Sequence, residues 1–225
     1  MDGTPRPVLG SVREFAAAIK PLKDHIIGFH ERPADVVIVF DYKSLLMCEI
    51  MEARHLQRFG LVPDNALFYY PYAHRGWYWL LRGGNRDVDY VNVDDIARIK
   101  DYKVVCFPVY MMYDKAITPI VEEYVANGGV IIADEGFGLL QENTWMNPYD
   151  IPCGRVMSAR LRERRRGVRN LTVGGRRLTT SGYNSEYAVQ NAKTVLAFDD
   201  GVPAVQEVRL GKGRVDLLGF SLGYS

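Results

Sequence analysis

The segment from Asn127 to Gly138, NGGVIIADEGFG, has the pattern of a helix end, a buried strand and a tight turn. In many α/β enzymes a turn of this kind presents a Ser or Cys nucleophile just beyond the strand. Here the turn carries Asp134, Glu135 and Phe137 and contains neither Ser nor Cys. We therefore predict no nucleophile, and no catalytic residue, at this turn.

Other polar residues are expected beside this turn, because ligands bind at the carboxyl ends of the strands in open parallel sheets. Asp41 ends the first predicted strand, Tyr110 follows the third, and Asp134 and Glu135 follow the fourth. These four are the candidate binding residues, and their three carboxylates would suit Mg²⁺ as in phosphorelay receivers. Receivers carry two adjacent acids after the first strand, whereas VFDYKS supplies one.

A structural role is the favoured interpretation of the three carboxylates. Asp41 would bond turn amides ahead of the next helix, and Asp134 and Glu135 would pair with arginines or cap the following loop. The sequence therefore predicts neither a metal nor a cofactor.

Thiol chemistry has weak support in this sequence. The three cysteines, Cys48, Cys106 and Cys153, are far apart and form no CxxC pair, so neither a disulfide framework nor a zinc site is indicated. Cys106 lies within the apolar run KVVCFPV, where a thiol packs as a small apolar group. All four histidines precede the second predicted strand, in an order that suits no nucleophile–base arrangement.

Two segments are candidates for an interface with another chain. The run YYPYAHRGWYWLL concentrates the residue types that are enriched at interface cores. Its candidate contact residues are Tyr69, Tyr70, Trp77, Tyr78 and Trp79. The alternative is an inward-facing helix with partly exposed tyrosines.

The second segment is the basic run RLRERRRGVR, Arg160 to Arg169, with six arginines and one glutamate. It has no interleaved aromatic residues for base stacking, so a solvated face or pairing with acids of a partner subunit is favoured over nucleic acid. Arg162 and Arg165 would form a polar rim against acids such as Asp94 and Asp95.

The composition is that of a globular protein, and it indicates binding to neither nucleic acid nor membranes. Its 225 residues are 48% hydrophobic and carry a net charge of +1, which creates no field that would gather polyanions. No apolar segment approaches the roughly 20 residues that span a bilayer, and the N-terminus lacks a signal-peptide pattern. We therefore predict a cytoplasmic location.

The periodicity predicts an α/β fold. A first helix is expected from Ser11 to a bend or end at Pro21, followed by the strands ADVVIVFDY, DVDYVNV, KVVCFPV and GGVIIADE. Helices are expected from Ser44 to about Phe59 and from Ile117 to Val125, whereas LFYYPYAHRGWYWLLRGG is interrupted by Pro71 and Gly76 and is read as helical or irregular.

Strands that alternate with helices favour a doubly wound parallel sheet of flavodoxin type. Glycine-centred hairpins near Gly174 and Gly211 indicate a β-rich C-terminal part that completes the same domain.

Several of these segments together suggest a family. ADVVIVFDYKS, YVANGGVIIADE with the following ENTW, and the closing GKGRV resemble, in order and spacing, the trimerisation domain of family 42 β-galactosidases. The resemblance covers roughly Ala34 to Gly219. The segment from Arg155 to Ser185 departs from the family pattern, and ADEGFG differs from its usual turn.

The resemblance implies a class I glutamine-amidotransferase-like fold without amidotransferase chemistry, in residues 34–225, preceded by a connector helix in residues 1–33. It implies self-association into a homotrimer and attachment to a catalytic (β/α)₈ barrel, which needs about 250 residues and so does not fit in this chain. The expected function is therefore non-catalytic oligomerisation. The alternatives are an amidotransferase-like hydrolase that uses Cys106 or Glu135, and a small-ligand-binding flavodoxin-like module.

Overall fold

The computed structural model describes residues 8–27, 34–58, 69–141, 151–153 and 157–224. The chain divides into two compact units, Met1–Pro33 and Ala34–Ser225. In the first unit, α1 (Val8–Ile19) and α2 (Lys23–Ile27) flank a short 3₁₀ turn that contains Pro21. The expected bend or end of the first helix near Pro21 takes the form of an end, because α1 ends at Ile19. The described part of α1 already includes Val8, so Ser11 lies inside the helix and not at its start.

The second unit combines helices with a main β-sheet, and its C-terminal part consists mostly of further strands. Its helices are α3 (Tyr42–Arg58), α4 (Tyr69–Gly83) and α5 (Thr118–Ala126). Its first four strands are β1 (Val36–Phe40), β2 (Val88–Asn92), β3 (Val104–Phe107) and β4 (Val130–Ala133). The later strands are β5 (Ile151–Cys153), β6 (Met157–Arg166), β7 (Arg169–Val173), β8 (Arg176–Thr180), β9 (Tyr183–Val189), β10 (Lys193–Ala197), β11 (Pro203–Leu210) and β12 (Gly213–Leu218).

The main sheet has seven strands in the order β10-β11-β12-β4-β3-β1-β2. The five strands from β12 to β2 run parallel, β11 is antiparallel to β12, and β10 is antiparallel to β11. This confirms the predicted α/β fold with a parallel-rich sheet and a β-rich C-terminal part. The strand β1 is buried on both faces, which is why it reads VVIVF without alternation.

The helix α4 is continuous across both residues that were expected to interrupt it. Pro71 lies in its first turn, where the missing backbone N–H has no intrahelical partner to lose. Gly76 faces Gly223, and a Cβ at Gly76 would overlap the carbonyl group of Gly223. The glycine therefore allows α4 and the C-terminal segment to touch.

The C-terminal part contains both predicted hairpins. β7 pairs with β8 across Gly174 and Gly175, and β11 pairs with β12 across the Gly211 turn. A separate three-stranded sheet, β5-β6-β9, lies in the chain between β4 and β10 of the main sheet and pairs Arg160–Arg166 with Tyr183–Ala188. No helix among the described residues combines the length and apolar character needed to span a membrane.

Candidate functional site

The candidate site is the carboxyl edge of the parallel strands, where β1, β3 and β4 end side by side. Asp41, Tyr110, Asp134 and Glu135 all lie at this edge, as the sequence predicted, and all four are buried. A cleft of about 280 Å³ opens here and is lined by Asp41 and Tyr110 but not by Asp134 or Glu135. Their role in binding a ligand stays a prediction, and for Asp134 and Glu135 it would require the edge to open.

Asp134 joins three parts of the fold through hydrogen bonds. Its Oδ2 accepts from Trp77 Nε1 at 3.0 Å and from Ser221 Oγ at 3.1 Å, and its Oδ1 accepts from the backbone N–H of Val109. Burial raises the pKa of this carboxyl group to about 8, although the Val109 and Trp77 N–H donors act in the opposite direction. Asp134 thereby links α4, the turn after β3 and the C-terminal segment.

Glu135 forms a buried ion pair with Arg164 of β6. Arg164 Nε and Nη2 lie 2.9 and 3.1 Å from the two carboxylate oxygens. The hydroxyl groups of Tyr69 and Ser185 also donate to this carboxylate, at 2.5 and 3.3 Å, so both of its oxygens accept hydrogen bonds from two side chains. Burial lowers the pKa of Arg164, but the Glu135 carboxylate outweighs it and the net pKa is raised.

Asp41 caps the helix α3. Its carboxylate accepts from the backbone N–H of Lys43 at 3.1 Å and from the backbone N–H and hydroxyl of Ser44 at 2.9 and 2.5 Å. The backbone N–H of Asp41 itself donates to the Tyr70 hydroxyl at 2.8 Å. Asp41 and Glu135 thus make the structural bonds that the favoured interpretation predicted, whereas Asp134 bonds to Trp77, Ser221 and Val109 instead of to an arginine or the following loop. No group of three or more metal-ligating side chains occurs within the described ranges.

Val109 is a feature of this edge that the sequence reasoning missed. Its φ is +46°, a left-handed conformation that is strained for a β-branched residue. The backbone N–H bond to Asp134 holds it there, directly after β3. A strained turn at a strand end is where α/β hydrolases place a nucleophile, and here it carries a buried valine side chain.

The side chains of Cys106 and His74, close to this edge, have pKa values that keep them uncharged at neutral pH. Cys106 is completely buried in β3, as predicted, and burial together with Asp134 raises the pKa of its thiol to about 12. Burial lowers the pKa of His74 to about 3, while its Nε2 lies 3.2 Å from the Pro108 carbonyl oxygen. A reactive thiolate needs a lowered pKa, so this environment opposes the hydrolase alternative at Cys106.

The aromatic segment divides between two faces of α4. Tyr69, Tyr70 and Trp77 are buried in this chain, and Trp77 is only 1% exposed, so the expectation that they contact a neighbour is corrected. Their hydroxyl and indole groups bond Glu135, Asp41 and Asp134, which anchors that face inward. Trp79 is 66% exposed and Tyr78 is partly buried, so these two remain available at the surface.

The arginines of the basic run also fall into a buried group and an exposed group. Arg164 and Arg169 are buried, the latter bonding Glu186 and Asp200 at 2.8 and 2.9 Å. Arg162 is exposed, and Arg165 is half exposed beside Glu186 at 3.5 Å. The predicted solvated face therefore consists of Arg162, Arg165 and their exposed neighbours, without Arg164 and Arg169.

This chain matches one family of protein domains and resembles several known proteins. The profile of the family described as the β-galactosidase trimerisation domain matches residues 34–225. β-Galactosidase BgaB of Geobacillus sp. (strain Y412MC61) is 30% identical over 133 residues, which are 59% of this chain and 18% of that protein. A β-galactosidase of Geobacillus kaustophilus matches with the same values.

Solved structures share the fold at low identity. A catalytic mutant of Gan42B, a GH42 β-galactosidase from G. stearothermophilus, superposes with a TM-score of 0.71 at 20% identity over 96% of this chain and 31% of its own. The cold-adapted β-galactosidase from Rahnella sp. R3 gives 0.72 at 20% identity over 96% and 33%. An exo-β-1,4-mannosidase from Opitutaceae bacterium strain TAV5 gives 0.58 at 14% identity over 93% and 34%. This chain thus spans about a third of each solved relative.

Proposed function

Because this chain belongs to the β-galactosidase trimerisation domain family, we propose that residues 34–225 form a non-catalytic assembly domain that associates with copies of itself into a homotrimer. The family match over the whole second unit carries this proposal. The carboxyl edge supports it, because Asp134 and Glu135 bond to Trp77, Ser221, Tyr69 and Arg164 rather than facing a substrate cavity.

The finer fold assignment is also a proposal. Counted from β2, the parallel strands follow the order β2-β1-β3-β4-β12, which corresponds to the 2-1-3-4-5 order of flavodoxin-like sheets. The strained turn at Val109, at the end of the central parallel strand, supports descent from an amidotransferase-like fold whose nucleophile position is now filled by a valine.

Besides copies of itself, the second proposed partner of this unit is a catalytic domain. We assign residues 1–33 as a connector helix and a β-galactosidase-like (β/α)₈ barrel as the domain that this assembly unit would serve. The two carboxylates of a retaining or inverting glycosidase would then come from the barrel. The name of the mannosidase relative leaves the sugar open, and a cytoplasmic location stays a prediction.

The surface of α4 that remains exposed is one candidate contact face. Trp79 packs edge-on against Tyr78 with ring centroids 6.0 Å apart, and Tyr78 stacks on Tyr90 of the edge strand β2 at 6.2 Å. Arg75 lies 4.6 Å above the ring of Tyr72 on the same helix. Trp, Tyr and Arg are the residue types that dominate binding energy at interfaces.

Light scattering on a size-exclusion column tests the assembly proposal with the full chain. We expect a mass three times that of one chain at high protein concentration and no hydrolysis of an aryl β-galactoside or of glutamine. A monomer at every concentration would contradict the assembly function. Turnover that is lost in Glu135→Gln or Cys106→Ala would contradict the non-catalytic assignment.

A further inference from the structure

A second cleft lies between the three-stranded sheet and the antiparallel edge of the main sheet. It is bounded by β6 and β9 on one side and by β11 with the turn before it on the other, and its volume is about 770 Å³. Sites for small ligands typically enclose about 300–1,000 Å³. The polar side chains that line it are Arg160, Arg162, Glu186, Gln190, Asp200 and Gln206. None of these six lines the cleft at the carboxyl edge of the parallel strands.

The two acids of this cleft are paired with arginines that do not line it. Arg169 Nη2 donates to Glu186 Oε1 at 2.8 Å and to Asp200 Oδ2 at 2.9 Å. Arg165 lies 3.5 Å from the same oxygen of Glu186. The side chain of Arg169 is 8% exposed and lies 4.7 Å from the centre of the Phe198 ring, so it is held in one place. The negative charges of both acids are therefore compensated from outside the cleft.

Arg162 adds a positive charge that the protein itself does not compensate. It is exposed and makes no ion pair or hydrogen bond with any residue that the structure describes. It is the extra residue of a β-bulge in β6, because the pairing with β9 passes from Leu161–Tyr187 to Glu163–Glu186. Bulges of this kind re-aim side chains and are frequent next to functional sites. A guanidinium group binds a carboxylate or a phosphate through two parallel hydrogen bonds, so an anionic group suits this wall of the cleft.

The remaining polar groups of the cleft suit hydroxyl groups. The side-chain amides of Gln190 and Gln206 form no hydrogen bond within the described ranges, and each amide can both donate and accept. Glu186 Oε2 is also available as an acceptor there, because Arg169 and Arg165 both contact Oε1. Gln190 follows β9 and Gln206 lies on β11, so these groups approach from both sides. Donors and acceptors placed together are what a polyhydroxylated molecule requires.

We propose that this cleft binds an acidic sugar, that is, a sugar that carries a carboxylate or a phosphate group. Arg162 binds the anionic group, and Gln190 and Gln206 bind ring hydroxyls. A neutral sugar would leave the charge of Arg162 unused, and a bare inorganic anion would leave the two amides unused. This binding site is additional to the proposed assembly function and does not depend on it.

Isothermal titration calorimetry on the full chain tests the proposal. The probes are glucuronate, galacturonate, glucose 6-phosphate and galactose 6-phosphate, which separate a carboxylate from a phosphate as the anionic group. We expect at least one of them to bind with a dissociation constant of about 1 mM or lower. Glucose, galactose and inorganic phosphate should each bind at least about tenfold more weakly.

Two variants locate the site. Arg162→Gln should weaken binding of the acidic sugar at least about tenfold, because it removes the charged donor. Arg176→Gln is the matched control: it makes the same charge change at an exposed arginine of β8, outside the cleft, and should bind like the wild type. Gln206→Ala should weaken binding of the acidic sugar and leave the weaker binding of inorganic phosphate unchanged. Circular dichroism verifies that each variant is folded.

Three results would overturn the proposal. The first is that none of the four acidic sugars binds at about 20 mM. The second is that a folded Arg162→Gln variant binds as tightly as the wild type. The third is that inorganic phosphate binds as tightly as the acidic sugars and Gln206→Ala has no effect, since the hydroxyl groups would then take no part. The mass measured by light scattering tests the assembly function separately, so the failure of one proposal is distinguishable from the failure of the other.

Discussion

The guanidinium group of Arg164 and the carboxylate of Glu135 make two hydrogen bonds, 2.9 and 3.1 Å long, that tie β6 to the turn after β4. The side chain of Glu135 is completely buried and that of Arg164 is 11% exposed. Glu135, on the turn after β4, is thus a structural anchor for β6.

Removing the cation from this pair should destabilise the fold strongly. Arg164→Met leaves a buried carboxylate without its partner, so we expect a loss of about 3–5 kcal/mol in the free energy of unfolding. Arg165→Met is the matched control, because its pair with Glu186 is longer and half exposed, and it should cost at most about 1 kcal/mol. Urea denaturation measures both, and equal small losses would show that the pair is not an anchor.

Stability should fall as pH rises because of Asp134. Its folded-state pKa is raised from 3.8 to about 8, so the folded chain holds a proton that the unfolded chain releases between these values. Its stabilising contribution is complete below about pH 4 and is lost as pH rises to about 8, with a slope of up to about 1.4 kcal/mol per pH unit.

Comparing urea denaturation of the wild type with Asp134→Asn over this range isolates the effect. The variant cannot titrate at this position, so its stability should depend less on pH, even if it is lower throughout. Asp94→Asn, which changes an exposed acid, should leave the wild-type slope intact. Parallel slopes for wild type and Asp134→Asn would contradict the raised pKa.

The contact between α4 and the C-terminal segment depends on Gly76. Gly76→Ala would place a methyl group onto the Gly223 carbonyl, and we expect a loss of about 1–3 kcal/mol. Gly83→Ala, at the open end of the same helix, has no atom within 4 Å of the new Cβ and should be neutral or stabilising by about 0.5–1 kcal/mol. Thermal unfolding distinguishes them; a stabilised Gly76→Ala variant would reject the close approach.

Cys106 should resist alkylation in the folded protein. It is completely buried, and burial raises the pKa of its thiol to about 12, so both access and thiolate content are low. Mass spectrometry after iodoacetamide treatment should find Cys106 labelled only after denaturation. Rapid labelling of native Cys106 at neutral pH would reopen the hydrolase alternative.

The sequence predicted the layout of the fold because apolar runs and glycine turns are local signals. The four parallel strands, α5 and both C-terminal hairpins have the expected places. The orientation of α4 carried a signal too: Tyr70, Trp77 and Leu81 recur at helical spacing, which indicates one inward stripe. Because Pro71 and Gly76 were interpreted as interruptions of the helix, this stripe was not recognised. Trp77 was therefore predicted at an interface, whereas it is buried in the core.

Other features of the site could not be read from the sequence. Glu135 and Arg164 are 29 residues apart on separate elements, and no spacing rule pairs them. The left-handed backbone at Val109 is equally hidden, because valine is among the residues least suited to positive φ. Both depend on tertiary packing that overrides local preference.

The central claim is that this chain is an assembly domain, and sedimentation equilibrium over a wide range of protein concentrations tests it most directly. We expect the data to fit a single equilibrium between one chain and three chains. A chain that sediments as a monomer throughout, or that stops at a dimer, would contradict the claim.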